Sequence, residues 1–211
     1  MAADLRIEEF NVGPVMTNCY FLANVDTMEV LIVDPGDWAD KLISVIKDRG
    51  YKPAAVLLTH GHFDHAGAVA AVAGAFSIPV YAHEDERETL ENPRINMSGG
   101  WMGAGESYHA DVWLTDGEEF DLAGFHIRAI LVPGHTTGGC CYYLEEQKVL
   151  VSGDTLFCGS IGRSDFPGGD GAVLIGTIRE KLFALPNDTV VLPGHDRRTT
   201  IGFEKQYNPF F

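Results

Sequence analysis

Residues 59–65 read Thr59-His60-Gly61-His62-Phe63-Asp64-His65 and follow an apolar run from Ala54 to Leu58. Four metal-ligating side chains, three imidazoles and a carboxylate, thus fall within six residues at the end of a predicted strand. That mixture suits a borderline cation such as zinc, iron or manganese. A purely structural role is disfavoured, because unpaired His and Asp side chains at a strand end repel or desolvate one another. Further along, apolar runs end in Pro133-Gly134-His135, Ser152-Gly153-Asp154 and Pro193-Gly194-His195. The donors are then His60, His62, Asp64, His65, His135, Asp154 and His195. A catalytic zinc takes about three protein ligands and keeps a position for water. Seven donors therefore fit two ions that share a bridging carboxylate and a bridging water. Paired ions about 3.5–4 Å apart suit hydrolysis, since one pair both generates a nucleophile and polarises the scissile group.

Composition narrows the function classes. A chain of 211 residues with 45% hydrophobic content fits one domain over 1–211, built from two halves of similar plan at about 1–115 and 116–211. No run of eighteen apolar residues predicts a membrane span. Met1 to Phe10 carries acids and no apolar core of a signal peptide, so a cytoplasmic location is expected. The formal charge of −15 disfavours nucleic acid, whose binders cluster Lys and Arg against phosphates. The cysteines, Cys19, Cys140, Cys141 and Cys158, form no C-x-x-C pair. Cys140 and Cys141 lie in an apolar stretch and read as core strand residues. The sequence sets no oligomeric state.

The first half is expected to run from short strands within Leu5 to Asp34 into a helix spaced Trp38, Leu42, Val45, Ile46, with Asp37 as N-cap and Gly50 as its stop. The strand Ala54 to Leu58, the ligand cluster, a helix from about Ala66 to Ala75, a strand Ile78 to Tyr81 and a helical turn Glu84 to Glu91 follow. The second half predicts strands at Glu118 to Leu122, Phe125 to Val132, Cys140 to Leu144 and Val149 to Val151. A helix over Ala172 to Phe183 and a strand Thr189 to Leu192 complete it. Two face-to-face sheets with helices outside are implied, with the ligands at strand ends. Between the halves, Asn92 to Trp113 is Gly-rich and irregular, carrying Met97, Trp101, Met102 and Tyr108. It reads either as a surface loop whose aromatics pack on the core or as a lid over the donors.

The pattern T-H-x-H-x-D-H with later G-H, G-D and G-H elements resembles the metallo-β-lactamase superfamily over nearly the whole chain. The α/β fold implied is its four-layer αββα sandwich. Val33-Asp34-Pro35-Gly36 resembles that family's early Asp turn, whose carboxylate is structural. The donor set and the segments Asp154 to Phe157, Gly159 to Asp170, Thr199 to Gly202 and Asn208 to Phe210 are similar to the short bacterial glyoxalase II-like (hydroxyacylglutathione hydrolase-like) subgroup. That resemblance assigns His60, His62 and His135 to one metal, Asp64, His65 and His195 to a second, and Asp154 to both. Zinc is the expected metal, with iron or manganese also accepted. It further suggests Arg163, Asp165 and Arg197 as substrate-binding positions, although an arginine after Gly162 equally suits an ion pair with Asp165 that pins its own loop. Asp165 and Arg197 stand where the family has tyrosines, Asp196 replaces a Gly, and the 211 residues are expected to hold no counterpart of the helical domain of the longer enzymes, so glutathione recognition is expected to depart from the family pattern.

The expected reaction is hydrolysis of a small thioester, S-lactoylglutathione or a related acyl-thiol or ester. A bridging hydroxide with its pKa lowered toward ~7 is the nucleophile, and Asp64 both ligates and orients it. No G-x-S-x-G elbow offers a serine alternative. Persulfide dioxygenases are similar in the H-x-H-x-D-H segment and in G-R-x-D-F, and would use one iron on His60, His135 and Asp154. Lactone hydrolysis is a further alternative, and β-lactam hydrolysis is less favoured. His83, His109 and His126 lack the strand-end context and read as core or surface residues.

Overall fold

The computed structural model describes residues 3–101 and 105–211. Two six-stranded sheets face each other, and alternation along each strand decides what lies between them. The first contains β1 (Leu5–Val12), β2 (Thr17–Asn24), β3 (Glu29–Val33), β4 (Lys52–Leu57), β5 (Val80–His83) and β6 (Val112–Leu114), ordered as in sequence. β1 to β3 pair antiparallel, and β3 to β6 run parallel. The second is ordered β14-β13-β10-β9-β8-β7, from β7 (Glu119–Leu122), β8 (Phe125–Leu131), β9 (Cys140–Leu144), β10 (Val149–Gly153), β13 (Val190–Pro193) and β14 (Thr199–Thr200). A small hairpin of β11 (Leu156–Phe157) and β12 (Ser160–Ile161) stands apart.

Three apolar seams hold the layers together. Tyr20 and Leu22 of β2, Leu31 and Val33 of β3, Phe125 and Ile127 of β8, and Tyr142 and Leu144 of β9 fill the seam between the sheets. The alternate residues of the first sheet, Phe21, Val30, Ile32 and Val56, pack under α1 (Ala39–Asp48) and α3 (Val69–Phe76) through Leu42, Ile46, Val69 and Val72. The alternate residues of the second, Cys141, Tyr143, Leu150 and Val191, pack under α6 (Gly171–Thr177) and its π-helical continuation Ile178–Leu182. The result is helix, sheet, sheet, helix. Cys140 and Cys141 are buried on opposite faces of β9, as strand residues should be. Among the described residues no helix is long and apolar enough to cross a membrane.

Several local expectations are corrected. Trp38, not Asp37, occupies the N-cap of α1, with left-handed backbone (φ 56°), and its ring is exposed rather than on the core face. Asp37 acts one residue earlier, its Oδ1 accepting the Trp38 N–H at 2.6 Å. Gly50 does terminate the helix, with φ +68° and its N–H on the Lys47 carbonyl. The helix expected from Ala66 begins inside the ligand cluster as α2 (Phe63–Ala66), pauses, and resumes as α3. The cause is the Asp34–Gly36 turn pressed against it, since Ala68 N–H is bonded to the Pro35 carbonyl. The second half's first strands are preceded by β6, which belongs to the first sheet by pairing with β5.

The 92–113 segment is more regular than expected. It carries the short helix α5 (Ser98–Trp101) and runs into β6. Buried Asn96 ties it down by donating to the carbonyls of Leu90 and Glu106 at 3.0 and 2.8 Å. Tyr108 is buried in the outer seam of the first sheet. Met102 and the Trp101 side chain lie outside the described residues. The remaining helices are α4 (Arg87–Glu91) and α7 (Ile201–Tyr207), the latter not anticipated because only seven residues and one buried apolar side chain, Ile201, mark it.

Gly36 gives a test of how tightly this frame is closed. A Cβ there would come 1.4 Å from the Asp64 carbonyl oxygen, whereas one on Gly50 meets nothing within 4 Å. Gly36→Ala should therefore destabilise by ~3 kcal/mol or more, as overpacking against backbone, and Gly50→Ala by only ~1–2 kcal/mol of left-handed strain. Urea denaturation of both variants checks the ordering; equal midpoints would refute the close approach.

Candidate metal centre

All seven sequence-selected donors converge at the carboxyl ends of strands. His60 and His62 lie in the turn after β4, Asp64 and His65 in α2, His135 after β8, Asp154 after β10 and His195 after β13. One trio is tight: His60 Nε2 to His62 Nδ1 is 3.1 Å, His135 Nε2 to His62 Nδ1 is 3.0 Å, and His135 Nε2 to His60 Nε2 is 3.3 Å. A second joins Asp64 Oδ2 to His65 Nε2 at 3.5 Å and to His195 Nε2 at 3.3 Å. Asp154 lies between them, with Oδ1 3.4 Å from His65 Nε2 and Oδ2 3.6 Å from both His135 Nε2 and His195 Nε2.

The hydrogen-bond pattern around His65, His60 and His135 says which nitrogen of each is free to ligate. Asp34 is buried and accepts the Thr59 N–H at 2.8 Å, the Thr59 hydroxyl at 2.6 Å and His65 Nδ1–H at 2.9 Å. That leaves the His65 Nε2 lone pair facing Asp64 and Asp154. Because Thr59 gives its proton to Asp34, its oxygen accepts from His60 Nδ1 at 3.2 Å, which frees His60 Nε2. His135 Nδ1 donates to the Arg163 carbonyl at 2.7 Å, which frees its Nε2. Such partners fix tautomer and ring orientation at metal sites. The Thr17 hydroxyl steadies Asp64 Oδ2 at 2.7 Å. Asn18 and Tyr20 hold the Pro193 carbonyl at 2.9 and 2.8 Å and so set the turn that carries His195.

These donors fit divalent cations. A tetrahedral ion with bonds of about 2.0–2.1 Å has donors about 3.3–3.4 Å apart, close to the spacing of the His60–His62–His135 trio. His65 Nε2 and Asp154 Oδ1 are buried without a hydrogen-bond partner. Burial, then repulsion from the neighbouring rings, holds His60 well below the usual histidine range and takes His62 down to about 3, so both offer lone pairs. Burial pushes Asp154 and Asp64 up, but His65 and the other imidazoles outweigh it, bringing Asp154 to about 2 and Asp64 below the usual carboxylate range. Burial lowers His65, yet Asp64, Asp154 and Asp34 together hold it well above its ordinary value. Three carboxylates around one imidazole demand positive charge, and a cation would supply it in place of the His65 proton.

The remaining positions fare differently. A cleft of about 200 Å³ over the donors is walled by Val15, Phe63, Met97 and Phe166 and edged by Arg163. Arg163 makes a bidentate pair with Asp165, both contacts 2.8 Å, and lies 3.8 Å over the Phe166 ring. Asp165 therefore faces Arg163 rather than the cleft. Arg197 is not in this cleft; it lines separate shallow hollows and donates to Cys158 Sγ at 3.2 Å. His83 is buried, while His109 and His126 are exposed.

Sequence reasoning missed Glu86, a fully buried carboxylate within a turn read as merely charged. Gly61 N–H reaches it at 2.9 Å, the Thr136 hydroxyl at 2.9 Å and Gly138 N–H at 2.8 Å. Burial raises its carboxyl to about 7 against these bonds. The available signal was the apolar Leu90 four residues on, which marks Glu86 as facing inward.

Asp34 gives the test of this arrangement. Asp34→Ala removes the partner of His65 Nδ1 without touching a donor atom, and should cost ~10–100-fold in divalent-metal affinity. Chelator-competition titration of the variant against the parent checks it; unchanged affinity would mean that Asp34 does not orient His65.

Comparison with known proteins agrees with this geometry. The profile of the metallo-beta-lactamase superfamily matches residues 12–195. A Bacillus subtilis (strain 168) protein named probable metallo-hydrolase YqgX is 40% identical over 200 residues, 94% of each chain. Hydroxyacylglutathione hydrolase GloC of Haemophilus influenzae is 36% identical over 208 residues, 98% of each. Among solved structures, BLEG-1 B3 metallo-beta-lactamase superposes with a TM-score of 0.92 at 43% identity, covering 97% of this chain and 99% of its own. TTHA1623 in a di-iron-bound form gives 0.85 at 36%, covering 97% and 100%. A profile spanning most of the chain, and relatives this similar over nearly their whole length, leave one conclusion: the chain is a metallo-hydrolase fold member that belongs to the metallo-beta-lactamase superfamily.

Proposed function

We propose that the protein hydrolyses a small thioester, an S-acylglutathione such as S-lactoylglutathione or a related acyl-thiol, with two divalent ions. The observation that carries this reading is the pair of donor trios joined by Asp154 beneath one small cleft. His60, His62 and His135 would hold one ion, Asp64, His65 and His195 the other, and Asp154 both. Bound divalent ions lower the pKa of water toward ~7 and polarise a carbonyl oxygen. Asp64, steadied by Thr17, orients the attacking water. Val15, Phe63, Met97 and Phe166 seat the acyl group and keep bulk water from the scissile carbonyl. The thiol leaves as a thiolate, a good enough leaving group that no strong acid is needed. The relative named as a hydroxyacylglutathione hydrolase and the di-iron neighbour support the same reading.

Zinc, iron and manganese all suit this donor set. The formal charge of −15 fits a small substrate rather than nucleic acid. A single-iron persulfide dioxygenase would use His60, His135 and Asp154 and leave the Asp64–His65–His195 trio idle, which is why hydrolysis is preferred. β-Lactam hydrolysis is the second reading, favoured by the 43% identity to BLEG-1 B3 metallo-beta-lactamase.

Metal content per chain, measured with S-lactoylglutathione hydrolysis on the same sample, tests the proposal. Two equivalents with brisk turnover are expected, lost on chelation and in His60→Ala and Asp154→Ala. One iron with oxygen uptake on a persulfide, or turnover of a chromogenic cephalosporin alone, would sink it. The Arg163–Asp165 pair makes a second prediction: a substrate carboxylate must displace Asp165, so Asp165→Asn should lower KM for S-lactoylglutathione ~2–5-fold, the range of an exposed ion pair. No change in KM would mean that Arg163 does not meet the thiol carrier.

A further inference from the structure

The loops that carry His60–His62 and His135 come from opposite sheets, yet their ring nitrogens meet within 3.0–3.3 Å. Near the base of these loops the sheets are joined by Cys140 N–H to the Thr59 carbonyl at 2.8 Å and by the Tyr142 hydroxyl to the Leu58 carbonyl at 2.8 Å. Beyond Thr59 the side chain of Glu86 spans from one loop to the other, and the Thr137 hydroxyl, donating to the Asp85 carbonyl at 3.1 Å, ties the turn that bears it to the loop after His135. Glu86 Oε1 accepts from Gly61, the residue between His60 and His62, and Oε2 accepts from Thr136 and Gly138, which follow His135. The carboxylate is buried, so these bonds are unscreened and both oxygens are engaged. The helical turn bearing Glu86 is seated so closely that a Cβ on Gly138 would come 2.2 Å from the Glu86 nitrogen.

We infer that Glu86 is a positioning residue that sets the His60–His62–His135 triangle, and with it that trio's affinity for a divalent cation, independently of the Asp64–His65–His195 trio. The inference rests on the metal-dependent reading of the site, not on the identity of the substrate. Glu86 touches none of Asp64, His65, Asp154 or His195 by hydrogen bond, so its loss should act on one trio alone. Charge alone is not the requirement: an acceptor for Gly61 and one for Gly138 are needed together. Glu86→Gln keeps one acceptor oxygen and loses the other, whereas Glu86→Ala loses both.

The experiment is a chelator-buffered titration of metal-stripped, full-length protein with cobalt(II), read by visible absorption for each equivalent and by melting temperature. His62→Ala and His195→Ala assign the equivalents to the two trios, and Glu84→Ala, an exposed acid on the same turn, is the control. Glu86→Ala should weaken the His62-dependent equivalent ~10–100-fold, Glu86→Gln less, and neither should move the His195-dependent equivalent. Unchanged affinity in both Glu86 variants would overturn the inference. Equal weakening of both equivalents with a fall in melting temperature would overturn it too, by making Glu86 a support of the whole fold. If Glu86→Ala does not fold, the selectivity of Glu86→Gln decides. A parent protein that binds one equivalent would end the paired-ion proposal, and Glu86 would then stand or fall on whether that equivalent weakens in Glu86→Gln.

Discussion

The buried carboxylate of Asp34 is the contact on which the site depends. It terminates β3 and accepts three hydrogen bonds, from the Thr59 N–H, the Thr59 hydroxyl and His65 Nδ1. One anion therefore fixes the end of β4, the register of the ligand turn and the orientation of an imidazole in α2. Through the Thr59 hydroxyl it also sets the His60 tautomer. A buried carboxylate is costly unless fully hydrogen-bonded, and here the bonds that offset burial are the ones that organise the donors.

Around that anchor the molecule concentrates charge that it cannot neutralise by itself. Asp34, Asp64 and Asp154 surround His65, while His60, His62 and His135 crowd one another with their lone pairs inward. The strain is electrostatic, local and of the sign that a cation relieves. Gly194 shows how close the approach is, since a Cβ there would come 2.2 Å from Asp154 Oδ1. The polar supports lie mostly in the first half: Thr17 steadies Asp64 within it, Asn18 and Tyr20 reach across to the His195 turn, and Glu86 reaches to the His135 loop. The two sheets are thus joined by apolar packing through their middle and by polar bonds at one edge, which is where the donors meet.

Much of this was legible from residue order because the relevant signals are local. A continuous apolar stretch marked β9, whose Cys140 and Cys141 are buried on opposite faces, and strand-end Gly-His and Gly-Asp elements marked the donors. Gly50 was readable as a helix stop because left-handed backbone favours glycine. Where local signals misled, a distant contact had overridden them. The 66–75 helix was split by the Asp34–Gly36 turn lying against it. The 112–114 strand is too short to announce itself and exists because β5 offers an open parallel edge.

By itself the sequence determined the two-sheet architecture and the seven donors, because periodicity and the clustering of ligating side chains are properties of neighbours along the chain. Tertiary structure alone decided which imidazole nitrogens face one another, that Arg163 pairs with Asp165 at the edge of the cleft, that Arg197 stands outside it, and that Glu86 ties the His60–His62 loop to the His135 loop. Each of these is a contact, or a missing contact, between side chains whose directions depend on how loops from opposite sheets close over one another, and no spacing along the chain encodes that.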